Sequence, residues 1–316
     1  VTGRAERVTI IGGSGYVGQL LRRGLGARGF TVDVFDPVQG PVVTLLRRRW
    51  FAGAPASPLG RVARAAQRWA EPRLISAGVI RRGSDDMLAD RELIARRLAG
   101  SRAVIHLAGI PHPHWPGATD ETFVRLNYDA AINVFEAARD AGVPTFVFAS
   151  SAQVYAINDP VRLNQLPIRE SNHLPLPAEG QTTYGFLKGA FERYLDGACS
   201  AGSGTQAVAL RLECPGFRGP GAANLYVSTS VENTIDGFAR ALTPPDDLRY
   251  DVFNLADADV DPAIVDIRAF VRRRWAYVPT DLRGSNPCLL SVEKAQRVLG
   301  YRPITNGRYI DAGLVW

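Results

Sequence analysis

Tyr184 and Lys188 stand four residues apart in Tyr184-Gly-Phe-Leu-Lys188, inside a run patterned as a helix. Their side chains therefore fall one turn apart on one face. An ammonium beside a phenol favours the phenolate, drawing its pKa toward neutrality and fitting it to exchange a proton with a carbinol oxygen. The chain of 316 residues holds two lysines, Lys188 and Lys294, and uses arginine nearly everywhere else, which sets the pair apart from chance. Upstream, Phe148-Ala-Ser-Ser-Ala-Gln-Val-Tyr155 offers two hydroxyls for the same oxygen, Ser150 and Ser151.

A second group of residues suits a dinucleotide. In Val8-Thr-Ile-Ile-Gly-Gly-Ser-Gly-Tyr-Val-Gly18 a strand runs into a helix through glycines at 12, 15 and 18. That spacing allows a tight turn, lets the backbone approach a pyrophosphate, and lets the helix pack closely, with free N–H groups at its start for the anion. The next strand-like run, Thr31-Val-Asp-Val-Phe-Asp36, ends in an acid eighteen residues after Gly18, placed for both hydroxyls of an adenosine ribose. A carboxylate there repels a 2′-phosphate, so the expected cofactor is NAD rather than NADP.

Together with His106-Leu-Ala-Gly109, Asn127 in Leu-Asn-Tyr-Asp, Arg211 to Pro215 and Val298-Leu-Gly-Tyr-Arg-Pro303, these ordered motifs resemble the extended short-chain dehydrogenase/reductase family, also called the NAD-dependent epimerase/dehydratase family. The resemblance implies that Tyr184 is the general base or acid, that Lys188 lowers its pKa and holds the nicotinamide ribose, and that Ser151 hydrogen-bonds the reacting oxygen. Ser151 takes that role over Ser150 because it has the family's spacing to Val154-Tyr155. Asn127 would steady the active-site backbone. Cofactor contacts are implied from Gly12, Ser14, Gly15, Tyr16, Val17 and Gly18, from Asp36, from Asp85 at the adenine amino group, from Leu107, Ala108 and Gly109, and from Pro215, Tyr184 and Lys188. A homodimer through the helices at 119–141 and 182–201 is implied by analogy with the same relatives.

Departures from the family pattern narrow the reaction. Members that dehydrate nucleotide sugars or decarboxylate sugar acids resemble one another in a carboxylate just after the catalytic serine or threonine. Here Ala152 and Gln153 stand there, and neither acts as an acid or base. Epimerases that resemble this chain end the strand at 206–213 with Arg-x-x-Asn-Pro, whereas here Cys214 replaces the asparagine. Only Gly221 to Leu225 separate Pro220 from Tyr226, a short link that resembles the uronate dehydrogenases of the family. The expected substrate is a small sugar, sugar acid or polyol; a nucleotide-sugar 4-epimerase and a non-catalytic NAD-binding regulator are the alternatives. Candidate substrate contacts are His112 and His114 in Ile110-Pro-His-Pro-His-Trp-Pro116, with Gln153 and Cys214. The two histidines lack further ligands, so no metal is expected. His106 reads as a core histidine at a strand end.

Bringing these residues together takes strands at 8–12, 31–36, 79–82, 103–108, 144–149 and 206–212. Between them lie helices at 16–28, 87–99, 119–141 and 182–201, in which residues such as Leu88, Leu93, Ile94 and Leu98 return at helical spacing. This alternation predicts an α/β fold, a doubly wound parallel sheet of the Rossmann type, over 1–212. Residues 213–316 read as a small substrate lobe with helices at 230–242, 264–276 and 291–299 around a strand near 251–255, parts of which return to the Rossmann core. The lobe would close over the C-terminal edge of the sheet, where such folds place their ligands.

Composition agrees with an enzyme of this kind. With 46% hydrophobic residues the chain can bury a full core. Its net charge of +6 is local: residues 41–82 hold nine arginines against Glu71, a surplus larger than that of the whole chain. That basic insertion reads as a solvated flap over the adenosine end, with an anionic lipid surface, an acidic substrate or a second subunit as alternatives. Without aromatic interleaving or a binding motif, no nucleic-acid partner is expected. Val8 to Ile11 is too short for the apolar region of a signal peptide, and no apolar run approaches bilayer length. Three cysteines, Cys199, Cys214 and Cys288, at unrelated spacings suggest neither a disulfide framework nor zinc, and a cytoplasmic location is expected.

Overall fold

The computed structural model describes residues 6–35, 90–115, 117–157 and 163–310. Asp36, Asp85, the expected strand at 79–82 and the basic insertion 41–82 lie outside the described residues.

Short runs make β1 (Arg7–Ile11), β2 (Thr31–Phe35), β3 (Ala103–His106), β4 (Thr145–Ser151), β5 (Gln206–Leu212) and β6 (Tyr250–Leu255), mostly buried except in β2 at the sheet's edge. They form one sheet in the order β2-β1-β3-β4-β5-β6, with every pairing parallel. Side chains alternate between its faces, Ala207 and Ala209 to one and Val208 and Leu210 to the other, and both faces are buried. The first face is covered by α2 (Arg91–Leu98), α4 (Ala130–Asp140) and α5 (Thr183–Ser200), through residues such as Ile94, Phe135 and Phe191. The second is covered by α1 (Tyr16–Gly26), α6 (Val231–Ala241), α7 (Ile267–Arg274) and α8 (Glu293–Leu299), through Leu21, Phe238, Phe270 and Leu299. Strand order reverses between β1 and β3, so the C-terminal ends of β1, β3, β4 and β5 border the crevice that this topology opens.

Two elements differ from the sequence pattern in ways that matter for the site. The helix expected over 119–141 is α3 (Asp120–Phe123) and α4 joined by a π-helical turn, Val124–Asp129, that carries Asn127. Such insertions mark functional positions more often than ordinary helix does. Strand β4 runs two residues beyond the expected 149, because Ser150 and Ser151 keep register with Arg211 and Leu212. Within 213–316, β6 pairs with β5 and α6 packs on α1, where Gly24 lies against Ile235, so these parts share the main core. Among the described residues no helix is long and apolar enough to cross a membrane.

Candidate active site

The turn between β1 and α1 is shaped by what glycine lacks. Gly12 has φ +82°, and a Cβ on it would lie 2.6 Å from the backbone nitrogen of Ala108, so the turn and the loop after β3 touch through backbone alone. A Cβ on Gly18 would strike the Gly13 backbone at 2.4 Å, and its absence lets α1 pack onto the turn. Gly15 is the N-cap of α1 and has no side-chain cap; a Cβ there would meet only the Gly12 carbonyl, at 3.4 Å. The result is an open helix start bordered by backbone donors, which suits a pyrophosphate. Tyr16 reaches from this turn to the end of β5, donating its hydroxyl to the Pro215 carbonyl at 2.6 Å.

The second corner lies where β4 ends and α5 begins. Ser151 closes β4 and caps the 3₁₀ turn Ala152–Tyr155 by accepting from the Gln153 backbone N–H at 3.1 Å. Helix α5 is capped by Thr182, which accepts from the Gly185 N–H, and its first turn abuts that 3₁₀ turn. The approach requires Gly185, since a Cβ there would sit 2.5 Å from the Gln153 carbonyl oxygen. Tyr184 is thereby buried against Ser151, whose hydroxyl hydrogen-bonds to the Tyr184 oxygen. Lys188 follows one turn later, donating to the Ala149 carbonyl at 2.8 Å and lying 5.8 Å from the Tyr184 ring centroid.

The proton affinities here differ from the expectation that Lys188 draws Tyr184 toward neutrality. Burial is the largest influence and pushes the Tyr184 pKa up; the Ser151 hydrogen bond opposes it and the charge of Glu213 adds to it. Burial pushes Lys188 down to about 8, against the attraction of Glu192. The ammonium is engaged with the Ala149 carbonyl, and its charge is not among the influences on the phenol.

Beneath the corner a buried network separates the two candidate serines. Ser150 donates to Glu192 at 2.6 Å, and Glu192 is held by Arg211 at 2.6 Å with both side chains almost fully buried. Arg211 also donates to the Tyr155 hydroxyl at 2.7 Å, which in turn donates to Asn254 at 2.7 Å. The Ser150 hydroxyl is thus spent on structure and the Ser151 hydroxyl faces Tyr184. Asn127 is also a positioning residue: its side chain accepts from the Ile110 N–H at 2.7 Å and donates to the Ile110 carbonyl at 2.9 Å, which pins the loop after β3.

The motif reading passed over Glu213. Neither 152 nor 153 carries an acid, yet the register of β4 on β5 brings Glu213 beside them, and Gln153 donates to its Oε1 at 3.1 Å. Burial pushes the Glu213 carboxyl up to about 7, opposed by hydrogen bonds from Gln153 and Cys214. The one available signal was an acid at the C-terminal end of a parallel strand, where ligands of this topology bind. Cys214 has φ +46° and its sulfur accepts from Asn224 at 3.5 Å. Gln153 and Cys214 therefore flank Glu213 in the corner, whereas His112 and His114 are exposed on the loop after β3, His112 accepting from the His114 N–H at 3.0 Å. His106 is buried between Phe146 and Phe148, and burial, aided by Lys188, lowers it to about 3. Among the described residues no group of acids, histidines and cysteines is arranged to hold a metal ion.

Comparison with known proteins agrees with this geometry. The family model for the NAD-dependent epimerase/dehydratase family matches residues 8–242. The human (Homo sapiens) sterol-4-alpha-carboxylate 3-dehydrogenase, decarboxylating, is 32% identical over 155 residues, which are 48% of this chain and 30% of that protein. The chain thus matches about a third of the length of such curated relatives. A UDP-glucose-4-epimerase structure from Stenotrophomonas maltophila, with bound NAD and formylated UDP-arabinopyranose, has a TM-score of 0.62 at 19% identity and covers 95% of this chain and 94% of its own. A mutated uronate dehydrogenase has a TM-score of 0.56 at 19% identity, covering 98% and 89%.

Proposed function

The chain belongs to the NAD-dependent epimerase/dehydratase family, and on that premise we propose that it is an NAD-dependent oxidoreductase acting on a carbinol or carbonyl of a small sugar, sugar acid or polyol. The observation that carries this reading is the hydrogen bond between Ser151 and Tyr184 in a buried corner, with Lys188 one helical turn away.

In the proposed mechanism Gly12, Ser14, Gly15, Tyr16, Val17 and Gly18 would hold the pyrophosphate, Asp36 the adenosine ribose and Asp85 the adenine, and Leu107, Ala108, Gly109 and Pro215 would give further cofactor contacts. When bound, NAD supplies the hydride acceptor or donor. Ser151 and Tyr184 bind the substrate oxygen, and Tyr184 takes its proton on oxidation and returns it on reduction. Burial makes the phenol hard to ionise and the Ser151 hydrogen bond opposes that; Lys188, one helical turn away, is the cation whose charge would favour the phenolate as the proton leaves.

The small substrate is supported by the short wall above the corner. Pro215 bridges directly to Thr229, Gly216 donates to the Thr229 carbonyl at 2.6 Å, and a single 3₁₀ turn, Gly221–Asn224, fills the interval. Cytoplasmic location and homodimerisation belong to the same proposal. Unpaired Cys199, Cys214 and Cys288 support the first, and the second rests on analogy with the family's relatives.

The test is NADH formation by purified enzyme on a panel of free sugars, polyols and uronates. Turnover with net NADH is expected. Interconversion of UDP-sugars without net NADH would replace this reading with the epimerase one.

A further inference from the structure

Two glutamates lie near the corner, and they are treated oppositely. Glu192 is locked by Arg211 and Ser150. Glu213 has no cation within ion-pair distance among the described residues, and the contacts it receives from Gln153 and Cys214 both fall on Oε1. It stands one residue beyond β5, partly buried, at the sheet edge where ligands bind. Its charge raises the pKa of both Tyr184 on α5 and Tyr16 on α1, and its Oε1 is bound by Gln153 from the turn that Ser151 caps.

We propose that Glu213 reads the substrate, its Oε2 accepting a hydrogen bond from a hydroxyl on the carbon next to the reacting carbinol, so that the enzyme prefers an uncharged vicinal diol, a neutral sugar or polyol, to a sugar acid. The inference rests on the oxidoreductase reading and narrows its substrate class. A substrate carboxylate in this position meets a like charge and finds no counter-ion. Arg211 is committed to Glu192 below the sheet end, and the Lys188 ammonium to the Ala149 carbonyl. A hydroxyl, in contrast, brings the donor that the free carboxylate oxygen lacks.

The electrostatics point the same way. Tyr184, Tyr16 and Cys214 are the titratable groups that feel or flank Glu213, and none is a cation. Burial accordingly holds its carboxyl near 7, so the acceptor strengthens as pH rises through neutrality and the KM for a diol should fall with it.

The experiment measures kcat and KM with NAD for aldohexoses and hexitols, their single-deoxy counterparts and hexuronates, in wild type, Glu213→Gln and Glu213→Ala. NAD binding is followed by calorimetry to establish that each variant is folded. Wild type should prefer a diol to the analogue lacking the adjacent hydroxyl by about 10- to 100-fold in kcat/KM, chiefly through KM. Glu213→Ala should bring that ratio close to one. Glu213→Gln should keep part of it, lose the dependence of KM on pH near 7, and raise the relative rate on uronates about tenfold. A wild-type preference for uronates, or a deoxy ratio unchanged in Glu213→Ala, overturns this inference and leaves the dehydrogenase reading standing. A wild type that binds NAD yet oxidises no member of the panel overturns that reading and this inference together.

Discussion

The two sides of the crevice are built on opposite principles. At the ends of β1 and β3 the cradle is made of backbone, with Gly12 against Ala108 and Gly18 against Gly13, and it works because side chains are missing. At the ends of β4 and β5 the corner is crowded with polar side chains, among them the buried Ser151, Gln153, Tyr184 and Lys188 and the partly buried Glu213, several with displaced proton affinities. The cradle has no room for a side chain at Gly12 or Gly18. The corner concentrates the charge that can do chemistry, and it depends on distant strands meeting in register.

That contrast can be broken first at the phenol. Replacing Tyr184 with Phe should lower kcat by about 10²- to 10⁴-fold while NAD binding stays near wild type; undiminished turnover would remove proton transfer from this corner. Next in size is the support underneath. Arg211→Met leaves Glu192 buried without its partner, and urea unfolding should report a loss of about 3–5 kcal/mol. Removing the exposed Arg96–Glu92 pair should cost about 0.5 kcal/mol or less. On the cradle side, Gly12→Ala must place a Cβ against Ala108 at positive φ. Calorimetry should show at least a tenfold loss of NAD affinity, and denaturation a cost of about 2 kcal/mol.

Two smaller effects sharpen the comparison within the corner. A carboxyl raised by folding binds its proton more tightly in the folded state, so its favourable contribution is complete below the ordinary carboxylate range. It fades as pH rises through about 7. Glu213→Gln should therefore flatten the fall in stability between about pH 5 and pH 8, by on the order of 1–3 kcal/mol, in melts followed across that range. Ser150→Ala should cost about 1 kcal/mol of stability with turnover within about threefold of wild type, whereas Ser151→Ala should lose about 10²-fold in turnover. Equal losses for both serines would mean that the network under the sheet, not the hydroxyl facing Tyr184, controls the rate.

Much of this was legible along the chain. Positions 12, 15 and 18, and the pair Tyr184 and Lys188, lie within one turn or one helix, and the structure places them on a strand-to-helix turn and on α5 as their spacing requires. The alternation of strands and helices likewise carried through to the parallel sheet. The π turn at Asn127 was not visible, because its periodicity departs from α-helix by one residue and is held open by a bond to Ile110, seventeen positions away. The strand near 251–255 was visible as a strand, and its pairing with β5 made it the sheet's edge.

The amino-acid sequence by itself determined the glycine turn and the one-turn spacing of Tyr184 and Lys188, since both follow from local backbone geometry and helical spacing. Only the tertiary structure decided that Ser150 is tied to Glu192, turned Lys188 toward Ala149, and put an acid in a corner where the motif positions 152 and 153 hold none. The physical reason is register. Ser150 opposite Arg211 and Ser151 opposite Leu212 place Glu213 beside Gln153 across sixty residues of chain, and no periodicity within either segment encodes that meeting.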